Sequence, residues 1–305
     1  MNAWVALWDR RESPISLALV RILVATALLV DLLPLGPLGL VEAVFAPAPL
    51  GLGHLDGRPN AHELYGVLEP SSATALWALL CAALAAFGAG LFTRASGLVA
   101  LFLYAQLALV LPLADRGIDM AFRNALLLLS LAPSGHALGI DARRATGSWI
   151  GHASAPAWGR QLMVVQLVVI YFLAGVQKVG LAWWPAGDWS ALWLVLQDPA
   201  VARFPGGDVP YRITQFTTLS TVVFEWSAGL LPLAFLYRYR QKALGTAFRN
   251  VWVAAGVALH LGIAVTMNLG IFPWGMLALY PAFFHPDELR AAASRVRTLC
   301  TARST

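Results

Sequence analysis

The sequence predicts an all-α fold, a polytopic integral membrane helical bundle of about eight transmembrane helices with both termini cytoplasmic. Three observations carry this. Hydrophobic residues make up 59% of the 305 positions and charged residues only 12%, and the mean hydropathy of +0.68 is far above that of a soluble chain. Apolar runs close to the roughly 20 residues needed to cross a bilayer recur along the whole length. Basic and acidic residues also sort onto alternate loops between those runs.

The runs place spans at 15–33, 73–92, 97–114, 120–132, 162–178, 218–236, 251–267 and 269–284. The fourth and eighth are short for a rise of about 1.5 Å per residue. Arg10 and Arg11 precede the first run as they would in a signal peptide. Its length and its interruption by Arg21 and Asp31 favour a retained span. The Gly- and Pro-containing stretch 36–53 reads as a loop on the membrane surface, and 139–158 as a polar connector. Nothing separates a soluble domain, so residues 1–305 are expected to form a single transmembrane domain.

With eight crossings, one side holds Arg10, Arg11, Arg94, Arg143, Arg144, Arg160, Arg238, Arg240, Lys242, Arg249, Arg290, Arg295, Arg297 and Arg303. The other is largely acidic, with Glu42, Asp56, Glu63, Glu69, Asp115, Asp119, Asp188, Asp198 and Asp208. The positive-inside rule makes the first side cytoplasmic and sets Lys178 near the extracytoplasmic face of a plasma (inner) membrane. The net charge of +5 is accounted for by this topology and by anionic headgroups of the lipid bilayer, so no nucleic-acid partner is implied. Cys81 in the second span and Cys300 in the tail fall in different environments, which predicts neither a disulfide nor a metal site. Walker, dinucleotide-binding and HExxH motifs are absent from the sequence.

Polar residues inside apolar runs are few, and each demands a reason, because a charge at membrane depth costs about 2.5–3.5 kcal/mol even on insertion scales. Lys178, one of only two lysines, closes the fifth run, which also carries Gln166 and Gln177. Glu225 lies in the sixth run, His260 in the seventh and Asn268 just before the eighth. Tyr171 and Lys178, seven residues apart, share a helix face with Ala174 and Gly175 nearby, so a second helix or a flat ligand fits closely there. These readings stay open beside plainer ones. Lys178 can snorkel to the interface against Asp188 within a belt of Trp183, Trp184, Trp189 and Trp193. Glu225 can form an ion pair with Arg21, Arg123 or Lys178, and His260, Gln166 and Asn268 can serve as interhelical hydrogen-bonders.

The stretch Tyr171-Phe-Leu-Ala-Gly-Val-Gln-Lys-Val-Gly180, followed by Trp183 or Trp184 and Gly187, resembles the signature of the HTTM (horizontally transferred transmembrane domain) family, shared with vitamin K-dependent gamma-carboxylase. Three further blocks agree in order: Gly139-Ile-Asp141, Glu225-Trp-Ser-Ala-Gly229, and His260 followed by Met267 to Phe272 and Phe283 to Pro286. The resemblance implies a membrane lysine, here Lys178, acting as the catalytic base that deprotonates vitamin K hydroquinone or another membrane quinol. Oxygen then converts the quinol anion to a strong base that removes a proton from a glutamate side chain of a peptide or protein substrate, with quinone leaving as an epoxide. Desolvation favours an amine's neutral form, which accepts a phenolic proton. Tyr171, Gln166, Gln177, Glu225, His260 and Asn268 are then expected to line the substrate site, and no metal is called for.

The match has departures. Ile118, beside Asp119, stands where the carboxylase carries a catalytic histidine, and its paired lysines correspond to Gln177-Lys178. Only residues 287–305 follow the last predicted span, with no counterpart to the animal enzyme's large extramembrane region. The expectation narrows to quinol chemistry in a lipid-accessible pocket. The competing expectation is a non-enzymatic membrane subunit that supports maturation or export of a partner.

Overall fold

Long apolar stretches can satisfy their backbone polar groups away from water only by closing hydrogen bonds within the segment, so these sequences form helices. The computed structural model describes residues 5, 8, 10–46, 51–53, 69–150, 154–205, 208–240, 242–292 and 294. Asp56, Glu63, Arg295, Arg297, Cys300 and Arg303 lie outside them, as do the side chains of Arg238, Arg240 and Lys242. The protein is an all-α polytopic membrane protein. Among the described residues, six stretches are long and apolar enough to cross a membrane: Ile15–Leu35, Pro70–Ala89, Thr93–Val110, Trp158–Val176, Tyr211–Phe235 and Ala243–Thr266. The chain sorts into two units, Met1–Met163 with Phe284–Thr305, and Val164–Phe283.

In the first unit, α1 (Ile15–Leu32), α2 (Leu40–Phe45), α3 (Pro70–Ala89), α4 (Thr93–Val110), α5 (Gly117–Leu131) and α6 (Ile140–Thr146) follow in order. The expected surface loop 36–53 therefore contains a short helix, and the connector after 139 contains another. Pro70 starts α3, where a missing N–H costs nothing, and Gly90, with φ +69°, ends it in the left-handed conformation. A short antiparallel ladder pairs β1 (Arg11–Glu12) with β2 (Ala155–Pro156). Arg160 grips Glu12 through two hydrogen bonds of 2.7 and 2.9 Å.

Arg21 has no exposed surface. It pairs with backbone rather than with the Glu225 that sequence reasoning offered it. Its Nη1 donates to the carbonyls of Ser134 (2.6 Å) and Ala137 (3.4 Å), and its Nη2 to those of Leu138 (2.6 Å) and Gly88 (3.4 Å). One guanidinium thus joins the second turn of α1, the end of α3 and the segment after α5. Nearby, Asp141 accepts from the backbone N–H groups of Phe92 (3.0 Å) and Thr93 (2.8 Å) and from the Thr93 hydroxyl (2.8 Å). It caps α4 from across the chain. Burial raises the Asp141 carboxyl, but these donors and the charge of Arg144 outweigh that effect and hold it below the usual aspartate range.

At the opposite end of the same unit, Arg116, at the start of α5, pairs with Asp31 in the last turn of α1. The 15 residues of α5, about 22 Å long, therefore run from one end of the unit to the other. The predicted fourth span, 120–132, falls on this helix, which is not among the six stretches long and apolar enough to cross. Arg123 likewise has its own partner, Asp115, at 2.7 Å.

In the second unit the rest of α7 (Trp158–Val176) is followed by α8 (Ala191–Leu196) and α9 (Tyr211–Ser227). A 3-10 turn, Ala228–Leu230, leads into α10 (Leu231–Arg240), then α11 (Lys242–Thr266) and α12 (Phe272–Leu279). After α11 the chain is pinned where Ala202 bridges Met267 and the Asn268 N–H donates to the Val201 carbonyl at 2.6 Å. It then returns antiparallel along α11: Phe272 meets His260 (ring centroids 5.6 Å), Tyr280 meets Trp252 (6.4 Å), and Arg249 donates to the Phe283 carbonyl (3.4 Å). The predicted eighth crossing is this return, an eight-residue helix extended by a 3-10 segment, Tyr280–Phe283.

Replacing Arg21 by Met should cost at least about 3 kcal/mol, because several buried carbonyls lose their donor at once. Fluorescence-detected size exclusion after a heat step would show the folded peak lost at a lower temperature. Asp141→Ala should cost about 1–2 kcal/mol as a lost helix cap. The folded pKa of Asp141 is depressed, so its contribution is present above the unfolded value of about 3.9 and is lost as pH falls through the folded value. Thermal midpoints of wild type and Asp141→Ala should therefore differ at neutral pH and converge in acid.

Candidate functional site

Gly175 on α7 lets α9 approach: a Cβ there would meet Trp226 Cδ1 at 2.9 Å and Glu225 Cβ at 3.1 Å. The small-residue face next to Tyr171 is thus occupied by a helix rather than left open for a ligand. Phe172 packs edge-on against Trp226 at 6.0 Å and covers Gly229.

This approach brings Glu225 to Lys178. Nζ lies 2.6 Å from Oε2, with side-chain exposures of 15% and 10%. The carboxylate oxygen meets no directed hydrogen-bond geometry, so the contact is an ion pair held by charge. Nζ also donates to the Ala174 carbonyl at 3.3 Å and sits 4.7 Å from the centre of the Trp183 ring. The sequence offered Arg21, Arg123 and Lys178 to Glu225, and Asp188 to Lys178. The fold pairs Lys178 with Glu225. Asp188 instead accepts from the Tyr211 hydroxyl (3.0 Å), and its carbonyl accepts from Gln215 (2.9 Å).

The segment after Lys178 folds back over it. Trp184 Nε1 donates to the Lys178 carbonyl at 2.8 Å and packs against Trp189 at 6.2 Å. Asp188 and Trp189 take φ of +58° and +55°, an uncommon left-handed pair for residues other than glycine. Of the tryptophans expected as an interfacial belt, Trp183 and Trp184 meet the lysine, Trp189 meets Trp184, and Trp193 packs edge-on against Tyr211 at 5.7 Å.

One helical turn or more before Lys178, Tyr171 is 4% exposed and its Oη lies 2.5 Å from His260 Nε2 and 2.7 Å from Tyr280 Oη. Phe224, directly before Glu225, meets the Tyr171 ring edge-on at 5.3 Å and stacks on Trp252 at 4.5 Å. Trp252 Nε1 donates to the Phe224 carbonyl at 3.2 Å. His260, 1% exposed, leaves Nδ1 without a hydrogen-bond partner among the described residues.

Of the seven sequence candidates, the fold joins Lys178, just past the end of α7, to Glu225 on α9, and Tyr171 on α7 to His260 on α11. Gln166 is half-buried on α7. Gln177 is exposed beside Lys178, and Asn268 is exposed with its backbone tied to Val201. Sequence reasoning passed over Tyr280 and Trp252. Both lie in apolar runs where an aromatic residue signals packing, and nothing local marks a hydroxyl that meets Tyr171 from 109 residues away.

The arrangement can hold a proton between a shielded amine and a carboxylate beside an aromatic, hydrogen-bonded wall. No curated protein and no solved structure matches the chain. The HTTM domain matches over residues 10–287, and the chain therefore belongs to the HTTM family, related to the membrane domain of the gamma-carboxylase.

Proposed function

We propose that Lys178, paired with Glu225, deprotonates a membrane quinol, with vitamin K hydroquinone the first candidate, in a gamma-carboxylase-like reaction. The observation that carries this reading is the 2.6 Å contact between two largely shielded, ionisable side chains. Shielded amine–carboxylate pairs of this kind, set against apolar walls, are suited to acid–base chemistry. Proton transfer from ammonium to Glu225 leaves a neutral amine. That amine takes the phenolic proton of the quinol, and the quinolate forms beside the regenerated ammonium, so charge develops against charge. Trp183 shields the pair, and the exposed side chains of Val176, Val179 and Trp226 offer an apolar ring an approach from lipid. His260 Nδ1 adds an unclaimed polar atom behind Tyr171.

The arginines of the first unit support the orientation. Arg10, Arg11, Arg94, Arg143, Arg144 and Arg160 fall at the end where Arg21 binds, while Asp31, Asp115 and Asp119 fall at the other, where Arg116 and Arg123 are neutralised by them. By the positive-inside rule the first end is cytoplasmic, in a plasma (inner) membrane. Quinol epoxidation coupled to carboxylation of a peptide or protein substrate is the fullest form of the proposal.

The test uses purified protein in lipid nanodiscs with vitamin K hydroquinone and oxygen, following epoxide by mass spectrometry. Wild type should form epoxide. Lys178→Ala and Lys178→Arg should both abolish it, since guanidinium does not give up its proton, and Glu225→Gln should slow it by about 100-fold or more. Wild-type rates from Lys178→Arg would overturn the base role. The ion pair would then be only a tie between α7 and α9. No epoxide from well-folded wild type would remove the vitamin K reading and favour a subunit that supports maturation or export of a partner.

A further inference from the structure

A cavity of about 470 Å³ lies within the first unit, at the end where α1 and α4 finish and α5 begins. Its volume is that of a small-molecule site. None of its lining residues enters the chemistry proposed for Lys178. One wall is apolar, including Leu32, Phe45, Leu107 and Leu111. The other carries Asp31, Asp115, Asp119, Arg116, Arg123 and Tyr104.

The charged wall is ordered before any ligand arrives. Asp119 accepts from Tyr104 Oη (2.7 Å), from the Arg116 backbone N–H (2.8 Å) and from Arg116 Nε (2.9 Å) and Nη2 (2.9 Å). Arg116 turns its remaining edge to Asp31, and Arg123 forks onto Asp115 at 2.8 and 2.7 Å. Among the described residues three carboxylates face two guanidinium groups, which gives this wall one formal negative charge. Arg116 directs each of its three nitrogens at a carboxylate, which leaves an anion little to bind. The carboxylates keep acceptor capacity, because each oxygen offers two lone pairs and those of Asp31 and Asp115 accept one bond apiece from the arginines. Their side chains are 22% and 26% exposed, within reach of a ligand.

We propose that this cavity binds an amphiphile with an ammonium head, its donors on Asp31 and Asp115 and its hydrocarbon chain against the Leu32, Leu107 and Leu111 wall. A cationic head matches the excess carboxylate, and the apolar wall asks for a chain that a soluble amine lacks. The position at the ends of spanning helices sets the head at headgroup level and the chain toward the bilayer.

Native mass spectrometry of the full chain in a neutral detergent, titrated with dodecylammonium, reads this directly. One saturable equivalent is expected. Butylammonium and dodecyl sulfate should bind far less at equal concentration, separating a soluble amine and an anionic amphiphile from the proposed ligand. Ala108→Phe, which fills the cavity, and Asp31→Asn, which removes the excess charge, should each weaken binding by about tenfold or more. Leu113, at the lining and 84% exposed, supplies a variant that spares packing. Leu113→Lys should weaken dodecylammonium similarly, and decides the matter if Ala108→Phe does not fold. Equal uptake of dodecyl sulfate, or wild-type affinity in the folded variants, would overturn the proposal.

Discussion

A charge inside an apolar bundle must bring its own partner, and this rule organises most of what is specific in the protein. Arg21 meets four carbonyls, Glu225 meets Lys178, Arg123 meets Asp115, and Arg116 is held between two aspartates. Arg21, the Arg116–Asp31 pair and the Lys178–Glu225 pair join elements far apart in sequence, whereas Arg123–Asp115 and Arg116–Asp119 are local. The polar residues therefore set which helices are neighbours, while the apolar majority provides the driving force without much direction. The Lys178–Glu225 contact is the pair to which the proposed proton transfer is assigned, because its cation is an amine that can give up a proton where a guanidinium does not.

The spanning helices were legible in the sequence because a bilayer demands length and hydropathy, which are local properties. The two short predicted spans were ambiguous for the same reason. The 15 residues of α5 and the broken return through α12 are placed by contacts with their neighbours, which no window of sequence contains. The site was half legible. Lys178, Glu225, Tyr171 and His260 stood out as polar residues in apolar runs, and the order of the motif blocks marked the family. Their pairing was not readable: Asp188 is closer to Lys178 along the chain, yet Glu225 holds it. Gln177 points outward because it continues the exposed face of Val165, Val169 and Leu173 at four-residue spacing, its N–H still bonded to the Leu173 carbonyl.

Gly175 shows how one small residue can be misread. A gap beside Tyr171 fits a flat ligand or a second backbone equally well on paper. The fold fills it with α9, and this close approach carries Glu225 to within reach of the amine. A side chain there would separate the helices and the ion pair together, so helix packing and the Lys178–Glu225 contact depend on the same close approach.

The return of the chain along α11 also bears on how this part of the protein folds. The segment from Phe272 to Phe283 is too short to reach across the hydrocarbon on its own and changes helical type partway. Its stability at depth comes from the aromatic contacts to His260 and Trp252 and from the donor that Arg249 gives to Phe283. The segment therefore has no independent means of holding its shape, and it and α11 form one unit of folding.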